Sequence, residues 1–132
     1  MNLLDTNICI AFLRRRSPLV AKRMEDAGAH QLCISSITAA ELFVGALKSN
    51  RASMNMADVH SFVSTIRTLN FDTEAARLYG HIRWTLERTG SSIGPLDLLI
   101  ASHAESIDAT LITNNTREFA RVPGLKIEDW TQ

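Results

Sequence analysis

The sequence predicts an α/β protein in which a mostly parallel sheet of four or five strands is covered by helices on both faces. Short apolar runs of strand length alternate along the chain with longer segments that repeat apolar residues at helical spacing. Parallel strands need long crossover connections, and a helix between successive strands supplies them. Two of the apolar runs also end in small polar residues, as strands do where an open sheet binds its ligand.

The first half of the chain predicts two short helices before the second strand. Ile8 and Phe12 belong to an apolar series at helical spacing that runs from Thr6 to the arginines at 14–16. Ser17 and the proline after it supply an N-cap and a first helical residue for a second helix, which ends near Gly28. The predicted strands are Leu3–Leu4, Leu32–Ile34, Leu69–Phe71, Ala109–Ile112 and an edge strand at Leu125–Ile127.

A third predicted helix, Ile37–Leu47, is apolar nearly all round, which indicates burial on most sides. Ser35 and Ser36 precede it as capping residues, and Glu41 is its only charged residue. Glu41 follows Thr38 at the spacing of a capping box, so a structural role for Glu41 is the alternative to a functional one.

The second half predicts a loop and then further helices. The predicted elements are a polar loop from Lys48 to Ala57, a helix burying Val59 and Phe62, a long helix capped at Asp72 and ending near Gly90, a helix at Leu96–Ala104 and a helical turn through Phe119.

Composition bounds the class of protein. The chain has 132 residues, of which 45% are hydrophobic and 21% charged, with 14 basic residues against 14 acidic ones. We expect one globular domain spanning residues 1–132, and the balanced charge does not favour a simple phosphate-gripping module. Cys9 and Cys33 are neighbours of isoleucines and read as core residues of a reduced, cytoplasmic protein. No signal peptide or membrane span is expected, because Asp5 interrupts the first apolar stretch.

Three carboxylates stand in otherwise apolar segments. Asp5 follows the first strand, Glu41 lies in the third helix and Asp97 lies in the sixth. An ionised carboxylate is rarely buried without a partner, because its desolvation costs several kcal/mol. Each has a structural alternative: a helix cap for Asp5, the capping box for Glu41 and compensation of the helix dipole for Asp97.

We predict that these three acids converge on a divalent metal ion. Gathered without a basic partner they would repel one another, and Mg²⁺ or Mn²⁺ relieves that repulsion while preferring oxygen ligands. No cluster of histidines and cysteines suggests zinc, although His103 follows Asp97 on the same helix and can approach the site. Asn115, after the fourth strand, offers a neutral oxygen or else serves as a turn residue. The small polar residues expected to orient the carboxylates or a phosphate are Thr6, Asn7, Ser36, Thr113 and Asn114.

Four segments of the chain resemble a PIN domain, and most closely the VapC ribonuclease toxins of bacterial toxin–antitoxin modules. These segments are Leu3-Leu4-Asp5-Thr6-Asn7, Ser35-Ser36-Ile37-Thr38 with Glu41, Pro95-Leu96-Asp97 with Ala101, and Ile112-Thr113-Asn114-Asn115 with Phe119. Their order and spacing cover essentially the whole chain.

The resemblance implies a PIN-like three-layer α/β/α sandwich and a Mg²⁺- or Mn²⁺-dependent endoribonuclease. It implies Asp5, Glu41 and Asp97 as catalytic residues and metal ligands, with Asn115 where many members have a fourth acid. Glu118 lies three residues further on, where it can compensate. Members of similar length from enteric bacteria cut initiator tRNA in its anticodon loop, so the resemblance implies that substrate. It also implies a homodimer and a cognate VapB antitoxin as partner.

Two other functions remain open at this stage. A phosphatase of the haloacid-dehalogenase type uses a strand-end aspartate as nucleophile, but it usually has a second acid two residues later, where this chain has Asn7. The other is a non-catalytic module that binds nucleic acid or protein on a PIN-like fold. Metal-dependent cleavage and metal-dependent stabilisation distinguish a nuclease from such a module.

Overall fold

The computed structural model describes residues 1–49 and 56–132. The strands in those residues are β1 (Asn2–Leu4), β2 (Leu32–Ser35), β3 (Arg67–Leu69), β4 (Thr110–Ile112) and β5 (Ile127–Glu128). The helices there are α1 (Thr6–Leu13), α2 (Pro18–Ala27), α3 (Ser36–Lys48), α4 (Met56–Thr65), α5 (Thr73–Arg88), α6 (Pro95–Ser106) and α7 (Thr116–Phe119).

The five strands of the described residues form one sheet in the order β3-β2-β1-β4-β5, and every neighbouring pair is parallel. Strand β1 lies at the centre, with Leu3 opposite Cys33 on one side and Leu111 on the other. The residue after β1, Asp5, therefore emerges at the middle of the carboxyl edge, where open α/β sheets bind ligands. The predicted parallel α/β fold is confirmed.

Alternate residues of the central strands supply two hydrophobic cores, one on each face of the sheet. Leu4, Ile34 and Ile112 point to a core that α1, α2, α3 and α4 complete. Leu3 and Leu111 point to the opposite core, which α5, α6 and Phe119 complete. These are the three layers expected of the fold.

Several predicted boundaries were wrong. The third strand is Arg67–Leu69, because the Phe71 N–H donates a hydrogen bond to Ser36 Oγ at 3.0 Å and lies beyond the sheet. The edge strand is Ile127–Glu128, two residues later than expected at its start. The predicted polar loop is helical at both ends, since α3 extends to Lys48 and α4 begins at Met56. Residues 50–55, the rest of that loop, lie outside the described residues.

The predicted capping box in α3 does not form. The N-cap of α3 is Ser35, whose Oγ accepts a hydrogen bond of 3.1 Å from the Ile37 N–H. Thr38 is buried inside the helix, and its hydroxyl pairs with that of Thr6 at 3.1 Å. Glu41 therefore lies in the second turn of α3 without the capping role, and the structural alternative for this acid is removed.

Both cysteines are buried and neither forms a disulfide, as predicted for core residues. Among residues 1–49 and 56–132, the helices are too short or too polar for any of them to cross a membrane.

Candidate functional site

Asp5, Glu41 and Asp97 line a single pocket of about 170 Å³ at the carboxyl edge of β1. The three acids come from the end of β1, the second turn of α3 and the first turn of α6. The rest of the lining is Thr6, Asn7, Ile37, Leu96 and Ile100. The fold thus brings together three acids that lie far apart in the sequence, while their chemical roles stay predictions.

Asp5 is almost fully buried, with 3% of its surface exposed, and both of its carboxylate oxygens are hydrogen-bonded. Its Oδ1 accepts a hydrogen bond of 2.8 Å from the Thr6 N–H, which makes Asp5 the N-cap of α1. Its Oδ2 accepts one of 2.8 Å from the Thr113 hydroxyl. Burial raises the pKa of Asp5, these two hydrogen bonds oppose the rise, and the negative charge of Glu118 adds to it. Asp5 is therefore both a helix cap and a member of the pocket.

Asp97 is half-buried in the first turn of α6, whose N-cap is Gly94. Burial raises the pKa of its carboxyl to about 7, helped by a hydrogen bond to Glu118 and by the negative charges of Glu118, Asp5 and Glu41. The amino end of a helix favours an anion, but here burial and the surrounding acids have the larger effect. The Asp97 carboxyl is therefore protonated more readily than that of an exposed aspartate.

Glu118 is a further acid beside the pocket. The sequence indicated it only as a residue that can compensate for Asn115. Its Oε1 accepts a hydrogen bond of 2.8 Å from the Gly94 N–H, and its Oε2 accepts one of 2.6 Å from Asn115 Nδ2. The Gly94 bond is the main reason why the pKa of Glu118 is lowered. A carboxylate at this point extends the cluster of acids from three members to four.

A signal for Glu118 was present in the sequence. It lies three residues after Asn115, the spacing of a helix N-terminal residue and the side chain that reaches back to it. What the sequence did not indicate was the partner on the other side, the backbone of Gly94, which is 24 residues away.

Hydrogen bonds link Asp5 to Glu118 through the segment after β4. The Thr113 hydroxyl donates to Asp5 and accepts a hydrogen bond of 3.0 Å from the Asn115 N–H. Asn115 in turn donates its side-chain amide to Glu118. Asn115 thus orients an acid of the site, and its predicted catalytic role stays a prediction.

The other predicted polar residues are placed unevenly. Thr6 and the exposed Asn7 line the pocket. Ser36 faces the segment after β3, where it binds the Phe71 N–H, and Asn114 is exposed at the end of β4.

His103 does not approach the acids. It is 1% exposed, and its Nδ1 lies 2.7 Å from Ser35 Oγ. Its ring also packs edge-on against Phe71, with the two ring centroids 5.6 Å apart. The Ser35 hydroxyl also accepts the Ile37 N–H, and the imidazole tautomer decides which of Ser35 Oγ and His103 Nδ1 donates to the other. Burial lowers the pKa of His103.

The donor set fits a hard divalent cation. Every charged residue among the described residues that line the pocket is an acid, and their mutual repulsion is the condition that such an ion relieves. In the described part of the chain no three Asp, Glu, His or Cys side chains are grouped closely enough to enclose an ion by themselves. Mg²⁺ usually takes only one or two carboxylates and keeps several waters, so oxygen donors that line an open pocket are the kind it uses.

A separate groove of about 840 Å³ lies between the end of α1, the start of α2 and the outer side of α4. Phe12, Leu13 and Phe62 supply its apolar floor, and Arg14 and Arg15 stand at its rim. Arg14 Nε is buried there without a hydrogen-bond partner among the described residues. Of the three arginines after α1, Arg14 and Arg15 therefore line this groove, while Arg16 is exposed and does not line it.

Comparison with known proteins gives relatives that match almost the full length of the chain. The chain is 45% identical over 129 residues to the tRNA(fMet)-specific endonuclease VapC of Shigella flexneri, covering 98% of this chain and 97% of that protein. It is 44% identical over 128 residues to the protein of the same name from Salmonella typhimurium, with 97% and 96% covered.

A solved structure of DNA-bound VapBC from Salmonella typhimurium is similar throughout. The TM-score is 0.91 at 43% identity, and the match covers 98% of this chain and 97% of that one. The PIN domain family matches residues 3–125, which contain all four acids of the site. The chain therefore belongs to the PIN domain family.

Proposed function

We propose that this chain is the toxin of a toxin–antitoxin pair and acts as a metal-dependent endoribonuclease. The observation that carries the proposal is the pocket lined by Asp5, Glu41 and Asp97 in a PIN domain. Relatives that match it over their whole length are named as ribonucleases or endonucleases. Residues 1–132 form one PIN domain in this proposal, and the protein acts in the cytoplasm.

The proposed substrate is initiator tRNA, cut in its anticodon loop. Two relatives at 44% and 45% identity carry a specificity for tRNA(fMet) in their names. The open pocket at the sheet edge suits an exposed loop, because single-stranded RNA can present its backbone to a shallow site.

PIN-domain ribonucleases are generally metal-dependent, and we propose Mg²⁺ or Mn²⁺ as the ion here. Asp5 and Asp97 would hold it, with Glu41 as a further ligand. When bound, the ion supplies positive charge that stabilises the phosphate in the transition state and makes water a better nucleophile.

The chain's own residues prepare this chemistry. Thr113 and the Thr6 N–H fix the Asp5 carboxylate, so that it cannot rotate away from the pocket. Glu118 is a hydrogen-bond partner of Asp97 and, through the Gly94 N–H, also binds the start of α6, so it helps to position the Asp97 carboxyl beside the pocket. Glu41 is half-buried in the lining of the same pocket, and its proposed role is to accept a proton from the attacking water. Asn115 would position the ligands or the scissile phosphate, with Thr6 and Asn7 beside it.

The proposed partner is a VapB-type antitoxin, since a structural relative is a VapBC complex. The groove of Phe12, Leu13 and Phe62 supports a protein partner because it is concave and apolar, as grooves that accept a peptide segment are. Leu13→Glu should weaken antitoxin binding, measured by calorimetry, while leaving RNA cleavage by the free toxin unchanged. The protein is also proposed to form a homodimer.

Sequencing of RNA ends after a short induction of the protein alone tests enzyme and substrate together. We expect new ends within the anticodon loop of initiator tRNA, and none with Asp5→Asn. Purified protein should cleave that tRNA only when Mg²⁺ or Mn²⁺ is added. A protein that binds tRNA without metal-dependent cleavage would instead be the non-catalytic module considered above. The haloacid-dehalogenase alternative has no support, because the fold and the family are those of a PIN domain.

A further inference from the structure

The loop before α6 is held by hydrogen bonds to α5 and to the turn that contains α7. Residues 89–94 connect α5 to α6, and the Ser91 N–H donates a hydrogen bond of 2.9 Å to the Leu86 carbonyl of α5. The turn that contains α7 supplies two more bonds. Glu118 accepts the Gly94 N–H at 2.8 Å, and Arg121 Nη1 donates to the Ser92 carbonyl at 3.0 Å.

Glu118 and Arg121 are presented by one turn of the chain. The Arg121 N–H donates a backbone hydrogen bond of 3.1 Å to the Glu118 carbonyl, which fixes their spacing. Their side chains then bind the loop with opposite polarity, the carboxylate at an N–H and the guanidinium at a carbonyl. Both bonds are charge-assisted, and such bonds are stronger than neutral ones.

These two side-chain bonds, from Glu118 to Gly94 and from Arg121 to Ser92, form a clamp on the loop that lies directly beside the acids. A Cβ atom at position 94 would be 3.6 Å from Asp97 Oδ2 and 3.7 Å from Glu118 Oε1, so the clamped backbone and both carboxylates are in contact. The positive charge of Arg121 also lowers the pKa of Glu118. No basic residue is among the described residues that line the pocket itself, so Arg121 balances the cluster of acids from outside it.

We propose that Arg121 is a positioning residue for the reaction, which holds Ser92–Gly94 and thereby sets where α6 begins and where Asp97 lies. The inference rests on the proposed nuclease function. Asp97 is in the first turn of α6, so a shift of the loop by a fraction of an ångström moves its carboxylate by a similar amount. Metal ligands lose affinity when the groups that orient them are removed.

An alternative role for Arg121 is a direct contact with an RNA phosphate, since its side chain is exposed. The two roles differ in what they change. A phosphate contact strengthens RNA binding and contributes to its salt dependence, while a clamp on the loop acts on the metal-free protein and on metal affinity.

The variants Arg121→Ala and Arg121→Lys test the inference, with Arg117→Ala as the matched control. Arg117 is an exposed arginine of α7, and Arg121 lies four residues later, just beyond the end of that helix. Four quantities are measured: hydrogen exchange of residues 91–98 in the metal-free protein, the Kd of Mn²⁺ from thermal shifts, and both kcat and KM for tRNA cleavage at several salt concentrations.

We expect Arg121→Ala to speed hydrogen exchange in residues 91–98 and to weaken Mn²⁺ binding by roughly three- to fivefold, the effect of losing one exposed hydrogen bond. We expect kcat to fall at limiting Mn²⁺ while KM for tRNA stays the same. Arg121→Lys keeps the charge and should recover part of both effects. Arg117→Ala should match the unsubstituted protein in exchange and Mn²⁺ binding.

Unchanged exchange and unchanged Mn²⁺ affinity in Arg121→Ala would overturn the inference. A raised KM for tRNA, together with a slope of log affinity against log salt concentration that is smaller by about one, would show that Arg121 contacts an RNA phosphate instead. Failure of the proposed function is separate: it is the absence of metal-dependent cleavage by the unsubstituted protein. The exchange measurement needs neither metal nor RNA, so it decides the role of Arg121 in either case.

Discussion

Asn115 Nδ2 donates a hydrogen bond of 2.6 Å to Glu118 Oε2. The family resemblance implies an acid at position 115 in many members. In this chain the bond connects position 115 to an acid three residues later, Glu118. The site therefore keeps a fourth carboxylate, supplied by Glu118, and Asn115 binds it as a neutral donor. An amide at 115 is compatible with Glu118, whereas a second carboxylate there would repel it.

Asn115→Asp should destabilise the metal-free protein at pH 8 by about 1–2 kcal/mol, because it places two carboxylates at hydrogen-bonding distance. At pH 5 the loss should shrink, since one of the two can then hold a proton and restore the bond. Urea unfolding at both pH values measures the effect. Equal destabilisation at pH 5 and pH 8 would show that charge repulsion is not its cause.

Adding Glu118→Gln to Asn115→Asp should recover much of the lost stability, since the donor and acceptor are then exchanged between the two positions. We expect a coupling energy of about 1 kcal/mol or more in the double-mutant cycle. The Gly94 N–H still has an oxygen to bind in the double variant. Additive effects of the two substitutions would mean that the bond between residues 115 and 118 is not what matters.

Asp5→Asn should reduce RNA cleavage by roughly a hundredfold or more, because the proposed ion loses the charge of one ligand. Stability should fall less than in Asp5→Ala, since Asn is as good an N-cap as Asp and its side-chain amide can donate to the Thr113 oxygen instead of accepting from it. Asp5→Ala should also cost about 1–2 kcal/mol of stability, because α1 loses its cap and the Thr113 hydroxyl loses its acceptor. Cleavage rates and thermal unfolding of both variants separate catalysis from folding. Wild-type cleavage by Asp5→Asn would contradict the assignment.

The raised pKa of Asp97 gives the metal-free protein a defined pH dependence. The folded pKa is about 7 and the unfolded value about 3.9, so between these values the folded state binds the extra proton. The stability that this proton contributes is complete below about pH 4 and is lost as the pH rises to about 7. Asp97→Asn removes this dependence. The free energy of unfolding of the variant minus that of the unsubstituted protein should therefore rise between about pH 4 and pH 7 and stay constant above pH 7. Thermal unfolding in a chelator at pH 5, 6, 7 and 8 measures it, and a constant difference would contradict the expectation.

Ser35→Ala should destabilise the protein by roughly 2–3 kcal/mol while leaving the acids in place. The change removes the cap of α3 and leaves Nδ1 of the buried His103 without its partner. Ser35→Thr keeps the hydroxyl and serves as the control, although its extra methyl must fit at a fully buried position. Urea unfolding measures both variants. A loss below about 0.5 kcal/mol for Ser35→Ala would mean that His103 has another partner.

The sequence alone determined the layers of the fold and three acids of the pocket. Apolar runs of strand length and helical periodicity are local properties, and a charge in an apolar segment is visible without any contact map. For the same reason the sequence predicted caps at Ser17 and Asp72, where a side chain binds a backbone N–H three residues away. It failed with the capping box at Thr38, because a long-range contact with Thr6 decides that residue's hydrogen bond.

Only the tertiary structure decided which groups hold the acids. Glu118 reaches the Gly94 backbone across 24 residues, and Thr113 reaches Asp5 across 108. Such contacts leave no periodicity or spacing in the sequence, because they depend on how β1, β4 and α6 meet at the sheet edge. The local sequence pattern therefore identified the acids. Their pKa values and the orientation of their carboxylates follow from burial and hydrogen bonds, which only the folded chain provides.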